Sequence, residues 1–285
     1  MVIIGHGANS TTGKLKLDLI IYALTGVGAG FLAGLFGIGG GLVIVSALVW
    51  IFTLQGFDAA FIPQLAVGTA LATIICTSIS SLQAHHQRGA VNVPLFWRLA
   101  PGLVIGSLSG AFVATRVDGT TLQLIIGSAA ALIALKMAFF SVAAREQSDP
   151  NLLPPKLAQT SIGGGIGFVS ALFGIGGGSL TVPILAHYGQ SMRDAVGTSA
   201  ACGLPIAVAG AAGFALFAAG SGAQLPDHSL GFVYLPAFAA ISVMSVFTAR
   251  LGAKVAHAIP QAKLKKAFAV LLFCVGVQLI ISALG

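Results

Sequence analysis

The chain has 285 residues, of which 56% are hydrophobic and 7% charged. A soluble domain carries about a quarter charged residues, so a water-facing surface is excluded. The net charge of +7 sits in short gaps between apolar runs, which excludes a nucleic-acid face and fits orientation of a membrane protein by its basic loops. Cys76, Cys202 and Cys274 all lie within apolar runs with no CxxC spacing, arguing against a disulfide framework or a zinc site.

A spanning helix needs about 20 apolar residues. In chain order the qualifying runs are 17–36, 62–82, 92–115, 120–143, 195–219, 230–250 and 264–284. The first residues show no basic segment followed by an apolar core and a cleavage site, so no cleavable signal peptide is expected. Residues 17 to 54 are too long for one crossing. A helical hairpin hinged at Gly37–Gly41 fits better, pairing 17–36 with 42–54, and a second such pair is 158–173 with 179–189.

Counting each hairpin as two segments gives ten, five per half. The expected fold is therefore an all-α polytopic membrane protein with a 5+5 inverted-topology repeat, since an odd count per half reverses the orientation. Residues 1–143 form the first repeat and 158–285 the second. Residues 144–157, polar and proline-bearing, form a cytoplasmic linker.

The repeat is written in the residues. Gly28 to Leu48 and Gly165 to Leu185 align at an offset of 137, with 12 of 21 positions identical and LFGIGGG shared whole. Ala66-Val67-Gly68-Thr69-Ala70 matches Ala195-Val196-Gly197-Thr198-Ser199 at offset 129. Val91, Pro94 and Gly110 match Val233, Pro236 and Gly252 at offset 142. With ten segments, 11 of the 14 lysines and arginines fall on one side, which should be cytoplasmic. That places both termini outside a bacterial-type inner membrane.

The glycine block lacks a βαβ context and a following Lys-Ser/Thr, so neither dinucleotide nor P-loop binding is indicated. Close helix packing is one reading, because small residues let membrane helices approach. Gly106 is read this way, as a glycine inside an ordinary spanning helix. The other reading is a broken helix whose new N-terminus offers backbone N–H groups and dipole to an anion. Two breaks at related places favour that site. Its candidate residues are Gly37, Gly39, Gly40 and Gly41, then Gly174, Gly176, Gly177 and Gly178, with Ser179, Thr181, Thr69, Thr198 and Ser199 as hydroxyl donors. Each hydroxyl could instead bond its own helix. The first-half counterparts of Ser179 and Thr181 are Leu42 and Ile44, so the second half should carry more of the side-chain contacts. Lys136, aligned with Gln278, and His85 and Arg88 are possible anion-attracting groups, with snorkelling and positive-inside roles as the alternatives.

FGIGGG twice, AVGT twice and the segment SSLQAHHQRGAVNVPLFW resemble the TauE/SafE family of sulfite exporters, over nearly the whole chain. The resemblance implies transport, usually outward, of small sulfur anions such as sulfite or organosulfonates of the sulfoacetate kind. It implies a small anionic substrate and a lipid bilayer as partners, with no cofactor. The related thiosulfate-uptake branch carries cysteines in its pathway. Here Cys202 follows Thr198 by four residues, but Thr73 takes the matching place in the first half.

All seven carboxylates, Asp18, Asp58, Asp118, Glu146, Asp149, Asp194 and Asp227, fall in loops or at helix ends. A cationic substrate would want one within the spans, as would common proton or sodium coupling. No catalytic triad or metal spacing stands in the spans, so a transporter rather than an enzyme is expected. A small organic carboxylate would suit the same donors. A non-transporting assembly subunit is the reading from another class, and two separate packing seams in place of converging breaks would support it.

Overall fold

The computed structural model describes residues 7–36, 40–139, 152–219, 222–258 and 261–284. Those residues are mostly helical. Ten helices follow in order: α1 Gly7–Phe36, α2 Gly41–Leu54, α3 Ile62–Gln87, α4 Val93–Ala114, α5 Gly119–Phe139, α6 Lys156–Phe173, α7 Gly178–His187, α8 Met192–Leu216, α9 Leu235–Ala258 and α10 Gln261–Leu284. Among the described residues, five stretches are long and apolar enough to cross a membrane: Ile62–Gln87, Val93–Ala114, Gly119–Lys136, Met192–Leu216 and Lys266–Leu284.

Several boundaries differ from the sequence reading, two of them for a visible physical reason. α1 begins at Gly7, ten residues before the apolar run at 17–36, because its first turns are polar but contain no helix breaker beyond glycine. The run 230–250 is not one helix. Its start folds as a two-stranded antiparallel ladder, β1 Ser229–Leu230 against β2 Val233–Tyr234, and α9 begins only at Leu235. Gly231 makes the turn with φ +54 and packs so closely on the Ala215 carbonyl that a Cβ would stand 2.2 Å from it.

The helices pack crosswise. α1 lies along α9, α4 along α6, α5 along α10 and α3 along α8. The first two pairs are glycine seams. A Cβ on Gly30 would fall 2.4 Å from Ser245 Cα, and on Gly34 1.9 Å from the Ala249 carbonyl oxygen. Across α4 and α6, a Cβ on Gly102 would meet the Thr160 oxygen at 1.9 Å. On Gly106 it would meet the Gly164 oxygen at 2.0 Å, so Gly106 belongs to a backbone-to-backbone seam and is not an ordinary helix position. Side chains of zero size bring the axes together, which replaces the hydrophobic drive that lipid surroundings lack.

The centre is α3 with α8. Leu65, Ala66, Val67, Ala70 and Leu71 of α3 and Ala207 and Phe214 of α8 are buried in the main core. A second core gathers Leu95, Leu99 and Leu103 of α4 with Ile166, Leu185, Cys202 and Ile206.

Candidate functional site

The two glycine breaks touch. α6 ends at Gly174, whose φ of +66 favours glycine. The chain turns there because the Gly174 and Ile175 N–H groups fold back onto the Ala171 and Ser170 carbonyls, as helix C-caps commonly do. α7 starts four residues later at Gly178, with Gly177 before it in a right-handed conformation. In the first half Gly40, at φ +64, precedes α2. Gly41, the first residue of α2, packs on the other break: a Cβ there would stand 2.2 Å from the Gly174 oxygen and 3.1 Å from Ile175 Cα. A Cβ on Gly174 would in turn meet Val45 Cγ2 at 2.7 Å. Gly37 and Gly39 lie outside the described residues.

Next to this junction α7, α8 and α3 converge. A Cβ added to Gly177 would be 3.0 Å from Ile206 Cδ1, 3.3 Å from the Gly203 nitrogen and 3.4 Å from Thr181 Oγ1. One added to Gly203 would be 3.0 Å from Ser78 Oγ and 3.8 Å from the Gly177 nitrogen. Gly203 is eleven residues into α8 and Ser78 nine from the end of α3, about 14–16 Å along each axis.

Three buried hydroxyls on the helices that flank the second break, Ser170 of α6 and Thr181 of α7, both 0% exposed, and Ser199 of α8, 1% exposed, have no hydrogen-bond partner among the described residues. An unpaired buried hydroxyl costs about 1–3 kcal/mol, so three of them near one break need a reason. Gly176 is buried, while Gly178 and Ser179 are half-buried. The first N–H groups of α7 have no acceptor within their own helix, by helix geometry.

Thr69 and Thr198 are placed differently. Thr69 Oγ1 accepts the Tyr234 N–H at 2.9 Å, and Thr198 Oγ1 accepts the Asn92 N–H at 2.9 Å. Both bonds tie α3 or α8 to the segment that enters α9 or α4 in the other half. Lys136 is exposed at the end of α5, Arg88 is exposed beyond α3, and His85 is half-buried at the end of α3, all away from the breaks. The Arg88 carbonyl accepts a hydrogen bond from the Arg193 guanidinium, linking the loop before α4 to the first turn of α8.

Ser78, Ser170 and Gly203 were not among the sequence candidates. A comparison of the two halves holds the signal. At the offsets of the repeat, Ser78 faces Ala207, Ser170 faces Ala33 and Gly203 faces Ile74. Two open grooves, of about 230 and 480 Å³, lie elsewhere. The first is lined by Val43, Ser46, Trp50 and Gln278, the second by Gly102, Ile105, Ser109, Gly165 and Phe168.

A chain this apolar, with five helices of spanning length among the described residues and two short helices started by glycines, is a multi-pass membrane protein. It belongs to the sulfite exporter TauE/SafE family, whose profile matches residues 22–279. A probable membrane transporter protein of Haemophilus influenzae is 37% identical over 265 residues, covering 92% of this chain and 97% of that one. A probable membrane transporter protein of Methanocaldococcus jannaschii is 29% identical, covering 85% and 86%. One of Bacillus subtilis is 31% identical over 59% of this chain and 67% of its own length. No solved structure matches the chain significantly. The chain is a membrane transporter by family.

Proposed function

We propose that the protein carries small sulfur-containing anions, sulfite or organosulfonates, outward by alternating access, and that the substrate sits where the two helix breaks meet. The observation that carries this is the group of unpaired hydroxyls, Ser170, Thr181 and Ser199, gathered with the first turn of α7 and the Gly177–Gly203 contact. Hydroxyl and N–H donors without an internal acceptor suit an oxyanion. Gly40, Gly41, Gly174, Gly176, Gly177, Gly178 and Ser179 form the rest of the proposed lining, while Thr69 and Thr198 brace α3 and α8 against the other half. Lys136, His85 and Arg88 act as attraction points at the mouth.

A ten-span, 5+5 inverted architecture with repeats at 1–143 and 158–285 is supported by the packing. Exchanging α1–α5 with α6–α10 turns the α1–α9 pair into α6–α4 and leaves α3–α8 and α5–α10 as they are. The Thr69–Tyr234 and Thr198–Asn92 bonds exchange in the same way. The contact between the breaks also favours a shared site over two separate seams. Both termini outside and an inner-membrane location follow from the charge count.

The test is a competition-binding screen of sulfite, sulfoacetate, sulfate and lactate on purified protein. Binding of at least one of the sulfur anions, lost in a Thr181→Val variant that still folds, supports the reading. Binding of lactate alone would replace it with a carboxylate carrier.

A further inference from the structure

We propose that the site at the breaks takes a single negative charge, binding monoanions such as an alkanesulfonate or hydrogensulfite and rejecting dianions such as sulfate and sulfoacetate. This rests on the reading of the breaks as the substrate site and narrows the substrate class.

Every donor gathered there is neutral. Thr181 Oγ1, Ser199 Oγ and Ser170 Oγ are buried and unpaired, and the Gly177 nitrogen and Ser78 Oγ face the gap left by the missing Cβ of Gly203. Thr181 is aimed at the break, its oxygen 3.4 Å from where a Gly177 Cβ would stand. The cations on the same strands of chain are distant. Arg88 lies ten residues beyond Ser78, Arg193 ten before Gly203 and Lys156 fourteen before Ser170, which is about 15 Å or more along a helix.

What positive field exists comes from helix starts. Each N-terminus acts as roughly half a positive charge. One is the start of α7 itself, and the start of α2 adjoins the same break, where Gly41 lies on the Gly174 carbonyl. Two of the last carbonyls of α6 are already taken by the Gly174 and Ile175 N–H groups. The field available is therefore at most about one unit. The desolvation cost of an ion rises with the square of its charge, so a dianion costs about four times as much to bury. The repeat does not duplicate these side-chain donors, since Ile44, Ala70, Ala33 and Ala207 stand at the positions that match Thr181, Ser199, Ser170 and Ser78.

The experiment is calorimetric titration of the full chain in detergent with matched pairs: methanesulfonate against sulfate, and propanesulfonate against sulfoacetate. Each monoanion should bind at least about tenfold tighter than its dianion. Thr181→Val and Ser199→Ala should each weaken methanesulfonate binding by about tenfold or more. A dianion that binds as tightly as its partner overturns the charge selection and leaves the substrate site standing. Monoanion binding untouched by both substitutions places binding elsewhere and removes the proposal. No binding of any of the four removes the substrate site itself, and this inference with it.

Discussion

Adjacent residues of α8 give opposed expectations. Thr198 Oγ1 already accepts the Asn92 N–H, while Ser199 Oγ is buried with nothing to bond. Thr198→Val therefore strands a backbone N–H, and Ser199→Ala removes an unpaired oxygen. Stranding a donor costs about 1–3 kcal/mol, according to how dry the site is. The Thr198 bond is half-buried, which puts its loss near the lower end, about 1–2 kcal/mol. The matching Thr69 bond to Tyr234 is fully buried, so Thr69→Val should cost about 2–3 kcal/mol. At roughly 2–4 °C per kcal/mol for chains near this size, melting should fall by about 4–12 °C for Thr69→Val and less for Thr198→Val. Ser199→Ala should melt at or above the parent temperature, yet lose roughly 10–150-fold in anion affinity, the worth of one hydrogen bond to a charged group. The assay is tryptophan fluorescence on heating, with and without methanesulfonate, on the same preparations. If Ser199→Ala destabilises as much as Thr69→Val, the hydroxyl has a structural partner and the division between braces and donors is wrong.

The glycine blocks predict a contrast of their own: Gly41→Ala pushes a Cβ to 2.2 Å from the Gly174 oxygen and should unfold or misassemble the protein, whereas Gly28→Ala, with nothing within 4 Å, should melt no lower than the parent. Cysteine labelling of intact cells should leave Gln87→Cys protected from impermeant reagents and Asn9→Cys reactive, and the reverse pattern would invert the topology. Asp118 caps α5, its carboxylate held below the usual aspartate range first by the Thr121 backbone N–H and then by the Thr121 hydroxyl. A depressed folded pKa means that this contribution is complete above the ordinary pKa of 3.8 and fades as pH falls below it. Asp118→Asn should therefore melt lower than the parent at neutral pH and converge with it in acid, a trend that pH-resolved melting curves would reveal or deny.

The helix count was legible because lipid forces a simple rule: long apolar runs become helices, and a glycine cluster inside one marks where it stops. Gly174 is such a stop, and Gly40 marks where the next helix starts. The ladder before α9 was hidden, because Leu230 to Tyr234 are as apolar as the helix they precede and hydropathy does not distinguish a turn of extended chain. The partners of Thr69 and Thr198 lie 165 and 106 residues away, beyond any local pattern. Hydroxyls such as Thr73 and Ser109 bond back to their own helices, and nothing local separates them from Ser170 or Ser199. The likeness of the halves was clear, but the differences between them at Ser78, Ser170 and Gly203 went unread.

The α1–α9 seam also sets a timetable for synthesis. Gly26 meets Ile241, a residue made 215 positions later. At about 5–20 residues per second, the first helix waits roughly 10–40 s with its notched face turned to lipid, or to whatever the insertion machinery offers. Its eventual partner belongs to the last third of the chain. A ribosome that stalls before Leu235 leaves a chain whose opening helix has nothing to close upon.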